Sequence, residues 1–246
     1  VGYGATNNVI ANYSTDGTTW VSSSPTPALA VSNGADVAFG QITSAIGRFI
    51  IIGDNDRDVA YSDDGGTTWT QTTNALPSTG YTSVAYGAGK FVAIKNGSQE
   101  IAYSSDGVSW TQELTGMPST AGWTDMTWGN GRFVAVTDDT TGIAYSLDGE
   151  AWTAVSGALV GTVAKKIAYG QGMFVVTSDS TTAISYSEDG VYWPSGGYTL
   201  GNTYTNGTSI IAFGNPQRIG QFVAVQGGAS ATTAANIRLG ATAKAR

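Results

Sequence analysis

Between residues 82 and 112 the chain reads TSVAYGAGKFVAIKNGSQEIAYSSDGVSWTQ, in short apolar bursts cut by Gly, Asn, Ser and Asp. No burst is long enough for a helix of three or four turns. The β-branched and aromatic residues within them suit a pleated, buried surface. The pattern predicts four strands, Ser83–Tyr86, Lys90–Ile94, Glu100–Tyr103 and Ser109–Gln112. Gly87-Ala88-Gly89 would make the first turn, Asn96-Gly97 the second and SSDGVS the third.

This unit recurs. Relatives of it occupy residues 35–71, 123–154 and 164–194. Each ends in one phrase, such as IAYSSDGVSW (101–110), IAYSLDGEAW (143–152) or ISYSEDGVYW (184–193). The phrase tryptophans Trp20, Trp69, Trp110, Trp152 and Trp193 stand 49, 41, 42 and 41 residues apart. A period near forty with four strands per period predicts a β-propeller. Residues 208–228 read as the first half of a unit, and residues 8–21 as a second half. Joined, they predict a fifth blade built from 208–226 plus 8–22. The expectation is therefore an all-β, five-bladed propeller of four-stranded antiparallel blades, closed by pairing of its N- and C-terminal segments, which leaves no sheet edge between the first and last blades. It would span residues 1–228, with 229–246 a tail or a linker to a further module. A chain opening on Val1 reads as processed, or as part of something longer.

Composition narrows the chemistry. Hydrophobic residues make up 41% of the 246 and charged ones 12%, with a net charge of −7. Eleven scattered basic residues make no nucleic-acid footprint. No apolar stretch reaches membrane-spanning length. Cysteine and histidine are both absent. That removes disulfides, thiolate nucleophiles, the commonest general base and the usual zinc ligands. No cofactor or metal site is expected. Asp54-Asn55-Asp56-Arg57-Asp58 alternates carboxylates but lacks the Gly and distal Glu of a calcium loop, so it reads as a solvated turn.

Ser62-Asp63-Asp64-Gly65-Gly66-Thr67-Thr68-Trp69 resembles the Asp-box, or BNR repeat, of sialidase-like propellers, and the other four copies are one residue shorter. The resemblance covers all five blades, and in style the unit is similar to repeats of bacteriophage tail and virion proteins. It implies that the phrase is structural. Asp16, Asp64, Asp106, Asp148 and Asp189 would accept backbone N–H bonds across a tight turn, the following glycine would take positive φ, and the tryptophan would pack on its own blade. A feature present in every blade cannot mark one active centre.

Function is sought where one blade departs from the rest. Tyr81 and Trp123 stand where the other units carry Gly34, Ala164 and Thr208, so two adjacent rings could stack on a sugar or pack under a loop. Two first turns are expanded, and they place Ile42, Ile46, Pro216 and Ile219 in loops, as a partner interface or as cover for their own blades. Sialidase chemistry needs converging arginines. Arg48 and Arg132 instead lie at the start of second strands, beside the first turns. Asp36 and Asp125 are the remaining candidate acid pair, and their replacement by Asn is expected to change neither stability nor activity. The expected function is a non-enzymatic structural or adhesive propeller of a virion, meeting other virion subunits or a host-surface glycan, with oligomerisation through the parent protein. A secreted location is the other setting. The alternative is a cellular Asp-box protein, either a glycoside hydrolase or an assembly factor of the photosystem type.

Overall fold

The computed structural model describes residues 2–3, 8–16, 18–23, 29–32, 34–138, 142–155, 159, 164–178, 183–194, 198–199, 209–214, 221–228 and 231–237. Every regular element among them is a strand. The N-terminal strands are β1 (Gly2–Tyr3), β2 (Asn8–Ile10), β3 (Asn12–Tyr13), β4 (Val21–Ser22) and β5 (Leu29–Ser32). Blade 1 follows as β6 (Gly34–Gln41), β7 (Gly47–Gly53), β8 (Val59–Ser62) and β9 (Thr70–Thr72). Blade 2 contains β10 (Tyr81–Gly87), β11 (Lys90–Lys95), β12 (Ile101–Ser104) and β13 (Thr111–Glu113). Blade 3 contains β14 (Trp123–Gly129), β15 (Arg132–Thr137), β16 (Ile143–Ser146) and β17 (Thr153–Ala154). Blade 4 contains β18 (Ala164–Gly170), β19 (Met173–Ser178), β20 (Ala183–Ser187) and β21 (Tyr198–Thr199). The chain continues through β22 (Ser209–Gly214), β23 (Gln221–Gly228) and β24 (Ala231–Ile237).

Blades 1 to 4 are antiparallel meanders of four strands in sequence order. Their innermost strands stand side by side, β6 against β10, β10 against β14, β14 against β18, with β22 next to β18. This is the propeller arrangement. The middle of each second strand is apolar because neighbouring blades cover both faces: Phe91, Val92, Ala93 and Ile94 have no exposed surface. Where a first turn is minimal, both central residues take positive φ, as in Ala88 (48°) and Gly89 (77°), the geometry of a tight hairpin that matches strand twist.

Two local devices set the spacing between blades. A bulge near the start of each innermost strand, at Gly34/Asp36, Tyr81/Ser83, Trp123/Asp125 and Ala164/Lys166, re-aims the residue that follows it. At the other end, the glycines closing β6, β10 and β14 receive the aromatic ring of the next blade. A Cβ on Gly40 would lie 2.3 Å from Tyr86, on Gly87 2.0 Å from Trp128, and on Gly129 2.0 Å from Tyr169. Each ring also meets the second-strand phenylalanine of its own blade at 4.6–4.8 Å between centroids.

The expected closing blade differs from what is observed. β22 pairs with β23 and β23 with β24, not with residues 8–22, giving a three-stranded sheet β22-β23-β24. Seven consecutive partners run from Phe222↔Ile237 to Gly228↔Ala231. Residues 231–237, expected to lie in a tail, thus form a seven-residue ladder, whereas β3 offers only two residues in strand. Among the described residues β3 pairs with β4 alone, and β1-β2-β5 form a separate sheet. The N-terminal segment nonetheless lies on blade 1: Ala11 and Val31 pack with Ile51 and Ala60, and Ser23 Oγ donates to the Gly66 carbonyl at 2.5 Å.

Candidate functional site: an axial carboxylate network

The repeated turns are self-contained. In blade 2, Asp106 Oδ1 accepts the N–H groups of Val108 (2.8 Å) and Ser109 (2.9 Å) and the Ser104 hydroxyl (2.9 Å). Ser104 Oγ takes the Gly107 N–H at 2.8 Å, and the Trp110 indole donates to the Gly107 carbonyl at 3.2 Å. Asp148 and Asp189 repeat this pattern, as does Asp16 with Thr18 and Thr19. Hydrogen bonds from Thr68 hold the Asp64 carboxyl down to about 2. These carboxylates are occupied in their own turns.

The basic residues beside the first turns are committed as well. Arg48 grips Asp63 through Nε (2.6 Å) and Nη2 (2.7 Å), donates from Nη1 to the Asp106 carbonyl of blade 2 (2.7 Å) and lies 4.2 Å above Tyr61. Lys90 pairs with Glu150 of blade 3 and sits 5.1 Å over Tyr103. Arg132 covers Tyr145 at 5.4 Å, but its buried Nε has no hydrogen-bond partner. The cause is legible in the sequence: where blade 1 has Ser62-Asp63-Asp64, blade 3 has Ser146-Leu147-Asp148, and Leu147 is exposed. Leu147→Asp is therefore expected to supply the missing carboxylate. A charge-assisted pair there should add about 1 kcal/mol and raise the melting temperature by about 2–4 °C, which differential scanning calorimetry would read.

Tyr81 and Trp123 are not surface rings. Tyr81 has no exposed surface and Trp123 is 2% exposed, because the segments before them fold over the blade ends. The Tyr81 hydroxyl donates to Glu100 at 2.7 Å, and burial, reinforced by that hydrogen bond, pushes the phenol well above its usual range. The Trp123 indole donates to the Ser119 carbonyl at 3.1 Å. Both are core, and the expectation of a stacking platform is corrected. Ile42 is partly buried against the core shared by blades 1 and 2, while Ile46 is exposed. Pro216 and Ile219 lie outside the described residues. The acidic run Asp54–Asp58 is tied down locally: Asp58 accepts the Asn74 N–H (2.7 Å) and the Gln71 amide (2.6 Å).

The unassigned chemistry lies on the axis. A cavity of about 410 Å³ runs between the innermost strands, lined by Asp36, Phe39, Tyr86, Asp125, Trp128 and Lys166 among others. Its charged residues Asp36, Asp125 and Lys166 follow the bulges, and each reaches a neighbouring blade. Asp36 Oδ2 accepts the Val84 N–H (2.9 Å) and the Ser83 hydroxyl (2.8 Å). Ser83 Oγ accepts the Met126 N–H (3.2 Å) and lies 3.4 Å from Asp125 Oδ1. Asp125 Oδ2 accepts the Ile167 N–H at 2.7 Å, and Lys166 Nζ donates to Oδ1 at 3.3 Å. Burial pushes the Asp125 carboxyl up to about 6, with Lys166 opposing and Asp36 adding to the rise; burial raises Asp36 too. The burial of both acids, and the backbone amides they accept from the neighbouring blades, are features the sequence did not lead one to expect. A signal was present: the position four before the strand-ending glycine reads Asp36, Ser83, Asp125 and Lys166 inside otherwise apolar strands. Buried polar groups are kept where they satisfy backbone donors.

No family model matches the chain, and no curated protein matches it. Solved structures do. YCF48 bound to D1 peptide aligns at TM-score 0.55 and 19% identity over 80% of this chain. The chain spans 64% of that structure. A streptogramin B lyase aligns at TM-score 0.63 and 12% identity over 94% of this chain and 73% of its own. The Niastella koreensis GH74 enzyme gives TM-score 0.55 and 16% identity, over 89% and 33%. At these identities the likeness shows the β-propeller fold alone.

Proposed function

We propose that this chain is a non-enzymatic propeller that serves as a structural or adhesive module, of Asp-box type, in a virion tail or surface protein, where it meets other virion subunits or a host-surface glycan. The observation that carries the non-enzymatic part is the use made of the central acids. Asp36 and Asp125 each accept a backbone N–H from the adjacent blade, at 2.9 and 2.7 Å, so their lone pairs hold blades together. A general acid or base needs a carboxyl free to meet substrate. The turn aspartates and the cations Arg48 and Lys90 are similarly engaged, which supports a scaffold.

A second reading rests on one observation. Two carboxylates that contact a single hydroxyl, one of them titrating near 6, form the kind of pair a glycoside hydrolase uses, and the cellular hydrolase alternative draws on it. The two are separated by incubating the purified chain with sialosides, β-glucans and streptogramin B and following product by mass spectrometry. No turnover is expected. Turnover abolished by Asp36→Asn with Asp125→Asn, while the melting transition persists, would install the hydrolase reading instead.

A further inference from the structure

The axial cavity carries a charge that its own walls do not neutralise. Its charged lining residues are Asp36, Asp125 and Lys166, two carboxylates against one ammonium, a net charge of −1 when both acids are ionised. Lys166 Nζ lies 3.3 Å from Asp125 Oδ1, so that carboxylate has a cation beside it. Asp36 is touched only by dipoles: the N–H groups of Val37 (2.8 Å) and Val84 (2.9 Å) and the Ser83 hydroxyl (2.8 Å). Lys166 acts on it from a distance. The other cations of blades 1 to 3, Arg48, Lys90 and Arg132, are engaged beside the first turns with Asp63, Glu150 and Tyr145. An unneutralised charge between low-dielectric walls draws either a proton or a second cation.

Toward the strand-ending glycines the lining turns aromatic. Phe39, Tyr86 and Trp128 come from three successive blades. Tyr86 and Trp128 are fixed by the glycines they cover, Gly40 and Gly87, and by Phe91 and Phe133 of their own blades. Aromatic rings attract cations through their quadrupole. The volume of about 410 Å³ is that of a small-molecule site. A bare metal ion suits it poorly. Each of the four carboxylate oxygens already accepts a hydrogen bond, Asp36 Oδ1 from Val37, Oδ2 from Val84 and Ser83, Asp125 Oδ1 from Lys166 and Oδ2 from Ile167. Calcium asks for about six to eight oxygens, and no set of three or more acidic ligands converges among the described residues. A carboxylate has about four acceptor positions, so with Ser83 counted on both acids one remains on each, which an N–H donor can use.

We propose that the axial cavity binds a small organic ammonium ion, its apolar body against Phe39, Tyr86 and Trp128 and its charged head facing Asp36 and Asp125. Lys166 displays the same chemistry, an ammonium already seated on Asp125, and the second ammonium is drawn to the Asp36 side. No bond forms or breaks, so the cavity acts as a receptor and needs no free general acid or base. A proton competes for the same charge, because burial pushes Asp125 up to about 6 and raises Asp36 as well. The groups that face Asp125 are Lys166 from β18, Asp36 from β6 and Ser83 from β10. Only the ionised acids attract the ligand, so binding weakens as pH falls through 6.

Benzylammonium is the probe and benzyl alcohol its uncharged counterpart, each titrated into the purified chain by isothermal calorimetry at fixed ionic strength. Saturable binding of benzylammonium is expected at pH 7.5, with benzyl alcohol at least about tenfold weaker. Affinity for benzylammonium should fall about tenfold from pH 7 to pH 5, as a carboxyl titrating near 6 takes up its proton. Two variants should move it in opposite senses. Asp125→Asn weakens binding about tenfold, and Lys166→Gln, which removes the resident ammonium, tightens it, a gain that a merely structural lysine would not give. Three results would overturn the proposal. Benzyl alcohol binding as tightly as benzylammonium would make the cavity indifferent to charge. No saturable binding to the folded parent at about 10 mM benzylammonium would mean that a proton alone answers the acids. Undiminished binding to an Asp125→Asn variant that keeps its melting transition would place the probe elsewhere.

Discussion

Gly87→Ala should lower the melting temperature by about 6–12 °C, the counterpart of roughly 3 kcal/mol in a domain of this size. The reason is contact alone. Gly87 does not require positive φ, yet a methyl group there would fall 2.0 Å from the Trp128 ring. That ring cannot retreat easily, since Phe133 meets it edge-on at 4.6 Å. Blades 2 and 3 would have to part, and the loss would spread to the amide bonds between their inner strands. Gly89→Ala is the control. It sits two residues away at φ +77° with nothing within 4 Å, so only backbone strain is at issue and about 1 kcal/mol is expected. A thermal melt of the two variants decides the matter. If Gly87→Ala melts within about 2 °C of the parent, the ring-on-glycine contact does not set the blade spacing.

That contact was half-legible in the sequence. The recurrence of an aromatic before each strand-ending glycine is plain in Phe39-Gly40, Tyr86-Gly87, Trp128-Gly129 and Tyr169-Gly170, and the strands themselves follow from their β-branched composition. Periodicity places residues along a strand and on one of its faces. It cannot show that the glycine of one blade is the floor for the ring of the next, because that pairing joins residues about forty apart across a blade boundary. The same limit explains Tyr81 and Trp123. Their departure from the repeat marked them as special, but the departure answers to loops of differing sequence folding over them, and Glu100 and Ser119 supply their polar partners. Closure failed to be read for a different reason. The repeat identified β3 as a third strand in search of a second, and had no means of weighing it against ATTAANI (231–237), which carries no repeat signature yet pairs with β23.

Stability should fall as pH rises from about 4 to about 7, the reverse of ordinary acid denaturation. Asp125 governs the slope. Its folded-state carboxyl titrates near 6, above the 3.8 of an exposed aspartate, so the folded state holds that proton more tightly than the unfolded one. Its contribution is complete below pH 3.8 and is lost as pH climbs through 6, amounting to about 3 kcal/mol, or about 6–12 °C in melting temperature. Asp36, also raised by burial, acts in the same direction. Lys166 limits the effect, since its ammonium at 3.3 Å favours the charged carboxylate, and Ser83 serves whichever acid is ionised. Below pH 4 the sign reverses. Asp64, held down to about 2, and Asp148, lowered by the amides it accepts, contribute stability that vanishes as they protonate. The two groups of carboxyls thus place the maximum near pH 4. Asp125→Asn isolates the contribution of Asp125: the amide oxygen can still accept the Ile167 N–H, but position 125 no longer titrates and Asp36 alone remains. Melting curves for parent and variant between pH 4 and 7.5 at fixed ionic strength should diverge, the parent falling more steeply than the variant. Parallel curves would mean that Asp125 keeps an ordinary acidity despite its burial, and the axial network would then be a permanently charged one.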